Sequence, residues 1–211
     1  MSWRQIGAGL AVGLLAAGLG LAGHTSPPRR VVWATSRVSV AVVVPPGVLT
    51  AMPADRLAVA PPRADHRLTA PPSVSAAQID AILAGYGSPA AGQGVTLYDL
   101  GVQAGIDPAY ALAFWVVESQ AGTRGVARST RSLGNIRCTP DWPRCVAGYR
   151  AYASYAAGMA DWYTLITTLY IRDWGLTTPA AILPRYAPMS DGNDPAGYAA
   201  TVVGLVQNWP P

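Results

Sequence analysis

The chain has 211 residues, with fifteen arginines, no lysine, ten aspartates and one glutamate, and a net charge of +4. The basic excess sits upstream, with seven Arg against two Asp in residues 1–73 and eight Arg against nine acids in residues 74–211, so the second stretch has no electrostatic footprint for nucleic acid. Both histidines, His24 and His66, also lie upstream, which excludes Ser-His-Asp and Cys-His nucleophile systems and histidine-bearing zinc sites from 74–211.

The opening "MSWRQIGAGLAVGLLAAGLGLAG" places one arginine ahead of an apolar run from Ile6 to Gly23. Gly20 and Ala22 suit a small-residue cleavage site, so residues 1–23 read as a secretory signal. The run is also just long enough to span a bilayer. An uncleaved anchor with membrane association through 6–23 is therefore the alternative, and either reading makes the protein extracytoplasmic, secreted or anchored at the cell envelope. Residues 24–73 are dense in Pro, Ala, Val and Arg, a composition that favours extended, semi-rigid backbone and reads as a linker. "VSVAVVV" (38–44) can form a short strand before Pro45-Pro46 ends it.

Regular structure is expected from Ser75, where Gln78 completes a capping box ahead of Ile79, Ile82 and Leu83 at helical spacing. "VTLYDLGVQAG" predicts a second helix closed by Gly105. Asp107-Pro108 supplies an N-cap and a first-turn proline for a third, from Pro108 to about Gln120. That helix is apolar nearly all round, which marks it as central and buried. A β-like or irregular segment is expected from Gly122 to Tyr149. Ser154 then caps a helix with Met159, Trp162, Tyr163, Ile166, Leu169 and Tyr170 on one stripe. Thr178-Pro179 and Asp194-Pro195 start two more, the last with Tyr198, Val202, Leu205 and Trp209 on one face. Residues 74–211 thus read as one mainly α domain with a small hairpin or irregular lobe, large enough for a proper core.

The only glutamate, Glu118, ends the apolar helix, on one face with Ala111 and Trp115. Two effects disfavour its charge. The negative helix end contributes ~0.3–1 kcal/mol, and desolvation beside Trp115 and Val116 can raise the pKa by up to ~3–5 units if burial is complete. A glutamate held partly protonated near neutrality is what a general acid at a glycosidic oxygen requires. The alternative from position alone is a glutamate satisfied by Arg124 or by backbone donors at the helix end.

The run "ESQAGTRGVARSTRSLGNIR", with "GSPAAGQGVTLYDLGVQAGIDPAYALAF" upstream and "YRAYASYAAGMADWYTLI" and "AAILPRYAPMSDGNDPAGYAATVVGLVQNW" downstream, resembles the lysozyme-like superfamily, most closely the endo-β-N-acetylglucosaminidase family of peptidoglycan hydrolases. The resemblance implies a lysozyme-like α+β fold and Glu118 as general acid, followed by Ser119, a Gly122-Thr123 turn and the Gly134-Asn135-Ile136 strand. It also implies Tyr198 lining the site and Asn135 and Ser119 binding substrate, with peptidoglycan or a related N-acetylglucosamine polymer as partner. The chain departs from the family in having "LGNIRC" for a fuller "N-N-apolar-F-G-I" strand, and in having no second glutamate. Asp141 in "CTPDWPRC" is the candidate substitute. Assistance by the substrate's own 2-acetamido group is the other solution, and Asp141 as a plain turn residue beside Pro140 and Pro143 stays open. A lytic transglycosylase also uses a single glutamate followed by serine, but the "GLMQ"-like segment typical of that family is missing here. A wall-binding protein that kept the fold without activity is a third reading.

Cys138 and Cys145, the only cysteines, would close an eight-residue loop. In an exported chain a disulfide is expected there rather than a metal site. Trp142, Tyr186 and Tyr198 are candidates for stacking on sugar faces. Arg124, Arg128, Arg131 and Arg137 could meet anionic stem groups of peptidoglycan or simply be solvated. No metal or cofactor is expected, and a monomer is.

Overall fold

The computed structural model describes residues 59–209. The signal or anchor (1–23), the possible strand at 38–44 and most of the linker lie outside the described residues. The elements in chain order are α1 (Ala76–Gly85), α2 (Gly94–Ala104), α3 (Pro108–Ser119), the single turn α4 (Ala127–Thr130), strands β1 (Cys145–Val146) and β2 (Tyr149–Arg150), α5 (Tyr155–Leu165), α6 (Pro179–Tyr186) and α7 (Pro195–Asn208). The described chain is mainly α, with seven helices and one small antiparallel hairpin pairing Cys145 with Arg150 and Val146 with Tyr149. Among the described residues no single helix is long and apolar enough to cross a membrane.

The capping signals operate as their chemistry requires. Ser75 Oγ accepts from the Gln78 amide while Gln78 Oε1 accepts from the Ser75 amide, closing the capping box. Asp107 accepts from Ala109, Thr178 from Ala181 and Asp194 from Gly197, each ahead of a first-turn proline. Gly105 closes α2 in the left-handed conformation, which costs a glycine no Cβ clash.

Helix α3 is the axis of the core. Every residue from Pro108 to Val116 is buried, and α2 and α7 pack against it. Phe114 sits 5.5–5.7 Å, centroid to centroid, from Trp162, Tyr186 and Tyr198, and Trp115 packs edge-on to Trp162 and Tyr163. The expected stripe on α5 is core, with Met159, Trp162, Tyr163, Ile166 and Tyr170 buried and Leu169 packed against them. On α7, Val202 is fully buried, while Tyr198, Leu205 and Trp209 are half-buried against the core.

Three features differ from the sequence expectation. The segment after α3 is not wholly irregular but contains α4. Helix α5 does not continue as an α-helix: Ile166–Asp173 widens into a π-helix. There the hydroxyls of Thr164, Thr167 and Thr168 donate to the carbonyls of Ala160, Tyr163 and Thr164, a back-bonding that competes with the regular ladder. Finally, residues 59–73 behave as a strap on the helical core rather than as a free linker. Leu68 is fully buried; its amide donates to the Thr177 carbonyl at 2.8 Å and its carbonyl accepts from the Asp107 amide at 2.9 Å. Ser73 donates its amide to the Asp107 carboxylate at 3.0 Å, so the residue that caps α3 also holds the strap.

Candidate active site

Glu118 occupies the last turn of α3 and keeps part of its surface open. Three segments converge on it. From α7, the Tyr198 hydroxyl donates to Oε1 at 2.8 Å. From the segment after α4, Asn135 Nδ2 donates to the Glu118 backbone carbonyl at 3.0 Å and to Oε2 at 3.3 Å. Arg137, two residues on, lies close enough to act on the carboxyl through its charge. Burial pushes the Glu118 carboxyl up to about 7, because desolvation outweighs the opposing hydrogen bonds from Tyr198 and Asn135 and the charge of Arg137. The expected direction is therefore present. The groups that meet the carboxyl are Tyr198, Asn135 and Arg137, not Arg124, which is exposed.

The turn after Glu118 is tightly specified. Gln120, Ala121 and Gly122 are successive left-handed residues, and Ala121 is fully buried. Ser119 makes this possible. Its hydroxyl donates to the Leu133 carbonyl at 2.8 Å and accepts from the Gly122 amide at 2.8 Å, so it ties α3 to the turn after it and to the segment around Leu133. The strand expected at Gly134-Asn135-Ile136 does not form: Leu133 and Gly134 make a turn, left-handed Asn135 breaks extended backbone, and only an isolated bridge from Arg137 to Tyr149 follows. Ser119 was expected to bind substrate; the structure buries it and commits its hydroxyl to backbone groups, where it positions its neighbour. Asn135 is also left-handed, at φ 46°. Non-glycine residues rarely hold this conformation without compensation, and here the two hydrogen bonds to Glu118 supply it.

Tyr186 and Trp142 are likewise more committed than their sequence context suggests. The Tyr186 hydroxyl donates to the Gly134 carbonyl at 2.6 Å and accepts from Trp162 Nε1 at 3.1 Å, so its polar tip is fully used. It fixes the turn that leads into Asn135. Trp142, a candidate for stacking on a sugar face, is not a free ring. Instead its ring packs edge-on to Tyr152 at 5.6 Å and under the Arg150 guanidinium at 4.3 Å. Arg150 pairs with Asp161 at 2.9 Å, and the Tyr152 hydroxyl donates to the same oxygen at 2.6 Å, which pins the hairpin lobe to α5.

Asp141 is exposed in the loop closed by the Cys138–Cys145 disulfide, and it shares no hydrogen bond or ion pair with another described residue. Of the four arginines, Arg131 is spent on the carbonyls of Tyr152 and Ala153, and Arg124 and Arg128 are exposed. Sequence reasoning missed the Arg137–Asp191 ion pair at 3.2 Å, formed across 54 residues with no local signal. It also missed the need for glycine at 134, where a Cβ would stand 2.5 Å from Trp162 Cδ1.

A cavity of about 770 Å³ lies elsewhere, between the strap, α6 and the side of α7 away from Tyr198; Asp65, His66, Pro184, Ala200 and Val203 help to line it. Its lining is mostly apolar, with Asp65, His66 and Asp194 as its titratable groups, and Glu118 is not among the lining residues. Among the described residues no cluster of three or more His, Cys, Asp or Glu side chains forms. No family model and no curated protein matches the sequence.

Proposed function

We propose that the protein is an exported glycan hydrolase with a lysozyme-like α+β domain, cleaving β-1,4 bonds in an N-acetylglucosamine-containing polymer, with peptidoglycan as substrate. The observation that carries this reading is the state of Glu118. It is a single carboxyl at the end of a buried helix, raised to about 7 by burial and oriented by Tyr198 and Asn135. A carboxyl so poised is about half protonated at neutral pH and mostly protonated at mildly acidic pH, and in that form can give its proton to a leaving oxygen.

In this mechanism Glu118 donates its proton to the glycosidic oxygen as the C1–O bond breaks. The cationic C1 is met on the opposite face by water, activated by a carboxylate such as Asp141, or by the substrate's own acetamido oxygen, which water then displaces. The hydroxyl ends on C1; in the first route the water's proton goes to the activating carboxylate and both acids regain their starting states by exchange with solvent, and in the second Glu118 itself takes the proton from the incoming water. The disulfide supports an oxidising, extracytoplasmic setting.

A lytic transglycosylase acting on the same polymer is the second reading. It is favoured by one observation: no other carboxylate among the described residues bonds with Glu118 or shares its partners Tyr198 and Asn135. That reaction needs only one carboxyl, with the sugar's own 6-hydroxyl attacking C1. Mass spectrometry of digested peptidoglycan separates the two, since reducing N-acetylglucosamine ends mean hydrolysis and 1,6-anhydromuramyl ends mean transglycosylation. Binding to insoluble peptidoglycan with neither product would mean a wall-binding protein.

A further inference from the structure

Arg137 differs from Arg150 and Arg131, its neighbours around the hairpin. Arg150 is largely buried, with an aspartate and an aromatic ring for partners, and Arg131 is bonded to backbone carbonyls. Arg137 is 70% exposed. Its backbone bridges to Tyr149, and its guanidinium lies over the Tyr149 ring at 5.3 Å. Its Nη2 reaches Asp191 Oδ2 at 3.2 Å, and that aspartate is itself 45% exposed.

The placement of the pair gives it meaning. Arg137 lies two residues after Asn135 on the segment that meets Glu118 from one side. Asp191 ends the short 3-10 turn (Met189–Asp191) leading into α7, which brings Tyr198 from the other side. The ion pair thus links the two segments that supply partners to Glu118. An exposed pair of this kind is worth only ~0–1 kcal/mol, so replacing Asp191 by another carboxylate costs little. The guanidinium offers a planar fork suited to two parallel hydrogen bonds with such a group.

We infer that Arg137 reads a carboxylate carried by the glycan, exchanging Asp191 for it, and so biases the Glu118 site toward acidic glycans over neutral N-acetylglucosamine polymers. This rests on the reading of the Glu118 site as a glycan site. Two sources provide the same chemistry: the lactyl carboxylate of a peptide-free muramic acid and the carboxylates of a peptide stem.

The test is equilibrium binding to the full chain carrying Glu118→Gln, which prevents turnover. Three soluble probes of equal sugar length are used: a chitin oligosaccharide, a peptide-free peptidoglycan glycan bearing lactyl carboxylates, and the same glycan bearing stem peptides. At low salt, at least one carboxylate-bearing probe is expected to bind about 10-fold more tightly than chitin, the strength of one charge-assisted contact. Whichever probe shows the preference identifies the source.

Adding Arg137→Gln should bring that ratio near one, and adding Asp191→Asn should enlarge it by removing the internal competitor. Equal binding of all probes, no measurable binding, a ratio that survives Arg137→Gln, or a ratio that shrinks with Asp191→Asn would each overturn the inference. Both side chains are exposed, so circular dichroism of each variant is expected to match the parent. The catalytic reading fails on a different measurement, the absence of new saccharide ends from the wild-type protein, and the binding preference can hold or fail independently of it.

Discussion

The Tyr198 hydroxyl lies 2.8 Å from Glu118 Oε1 and 3.3 Å from the Phe114 carbonyl, two acceptors one turn apart on α3. A tyrosine has one proton to give. When Glu118 is ionised, the carboxylate takes that proton as a hydrogen bond. When Glu118 is protonated, the acid can donate to the Tyr198 oxygen while the Tyr198 proton turns to Phe114. Both protonation states of Glu118 are therefore satisfied without movement of a helix.

The first prediction concerns pH. The folded-state pKa of Glu118 is raised from 4.5 to about 7, so its contribution to stability is fully present below about pH 4.5 and is lost as pH rises through 7. The loss amounts to at most ~3 kcal/mol. Glu118→Gln should remove this dependence, so thermal melts of variant and wild type should diverge most above pH 7, with the variant the more stable. The same variant should lose at least ~1000-fold in glycan cleavage, measured by released saccharide ends. Wild-type activity should fall as pH passes above about 7, and retention of full activity by the variant would remove Glu118 from the chemistry.

Tyr198→Phe removes a hydrogen bond that favours the ionised carboxylate, so the Glu118 pKa should rise further. The alkaline limb of the pH–rate profile should move upward by about one pH unit, in keeping with ~1.5–3 kcal/mol for a hydrogen bond to a charged group. An unmoved limb, with activity intact, would uncouple the two residues.

Gly134→Ala should act through packing. The new methyl would stand 2.5 Å from Trp162 Cδ1 and 3.0 Å from the Tyr186 hydroxyl, a clash of the kind that costs ~1–3 kcal/mol. Chemical denaturation should report that loss. Because Asn135 is the next residue, activity at a temperature where the variant is folded should also drop. A variant as stable and active as wild type would mean the turn at Gly134 shifts freely.

Leu68→Ala tests the strap. Leu68 is fully buried, 39 residues before Asp107 in the chain yet bonded to it, and its truncation should cost ~2–5 kcal/mol. A melting temperature within a degree of wild type would show that the helices from α1 onward suffice without it.

How much of this could be read from the chain depends on the range of the signal. Caps and helix starts were legible at Ser75, Asp107, Thr178 and Asp194, because each depends on residues within one turn. The burial of α3 was legible because it is apolar on every side. The upward push on Glu118 followed from that burial. The roles of Ser119, Tyr186 and Trp142 were not legible. Their polar atoms or rings are claimed by partners that only the fold brings near, such as Leu133, Gly134 and Arg150. The strap was missed for a related reason: its proline-rich composition describes a chain that cannot form its own core, but says nothing of whether it can join another.

The strap also has a mechanical consequence. Leu68 is sewn to the core on both sides of its peptide unit, to Thr177 before α6 and to Asp107 at the start of α3. A pull on the chain upstream would reach these two bonds before it reached α1. Both would have to break, and the buried side chain leave the core, before the tension moved on. Glu118, at the far end of α3, would be insulated from the tension until the knot at Leu68 gave way.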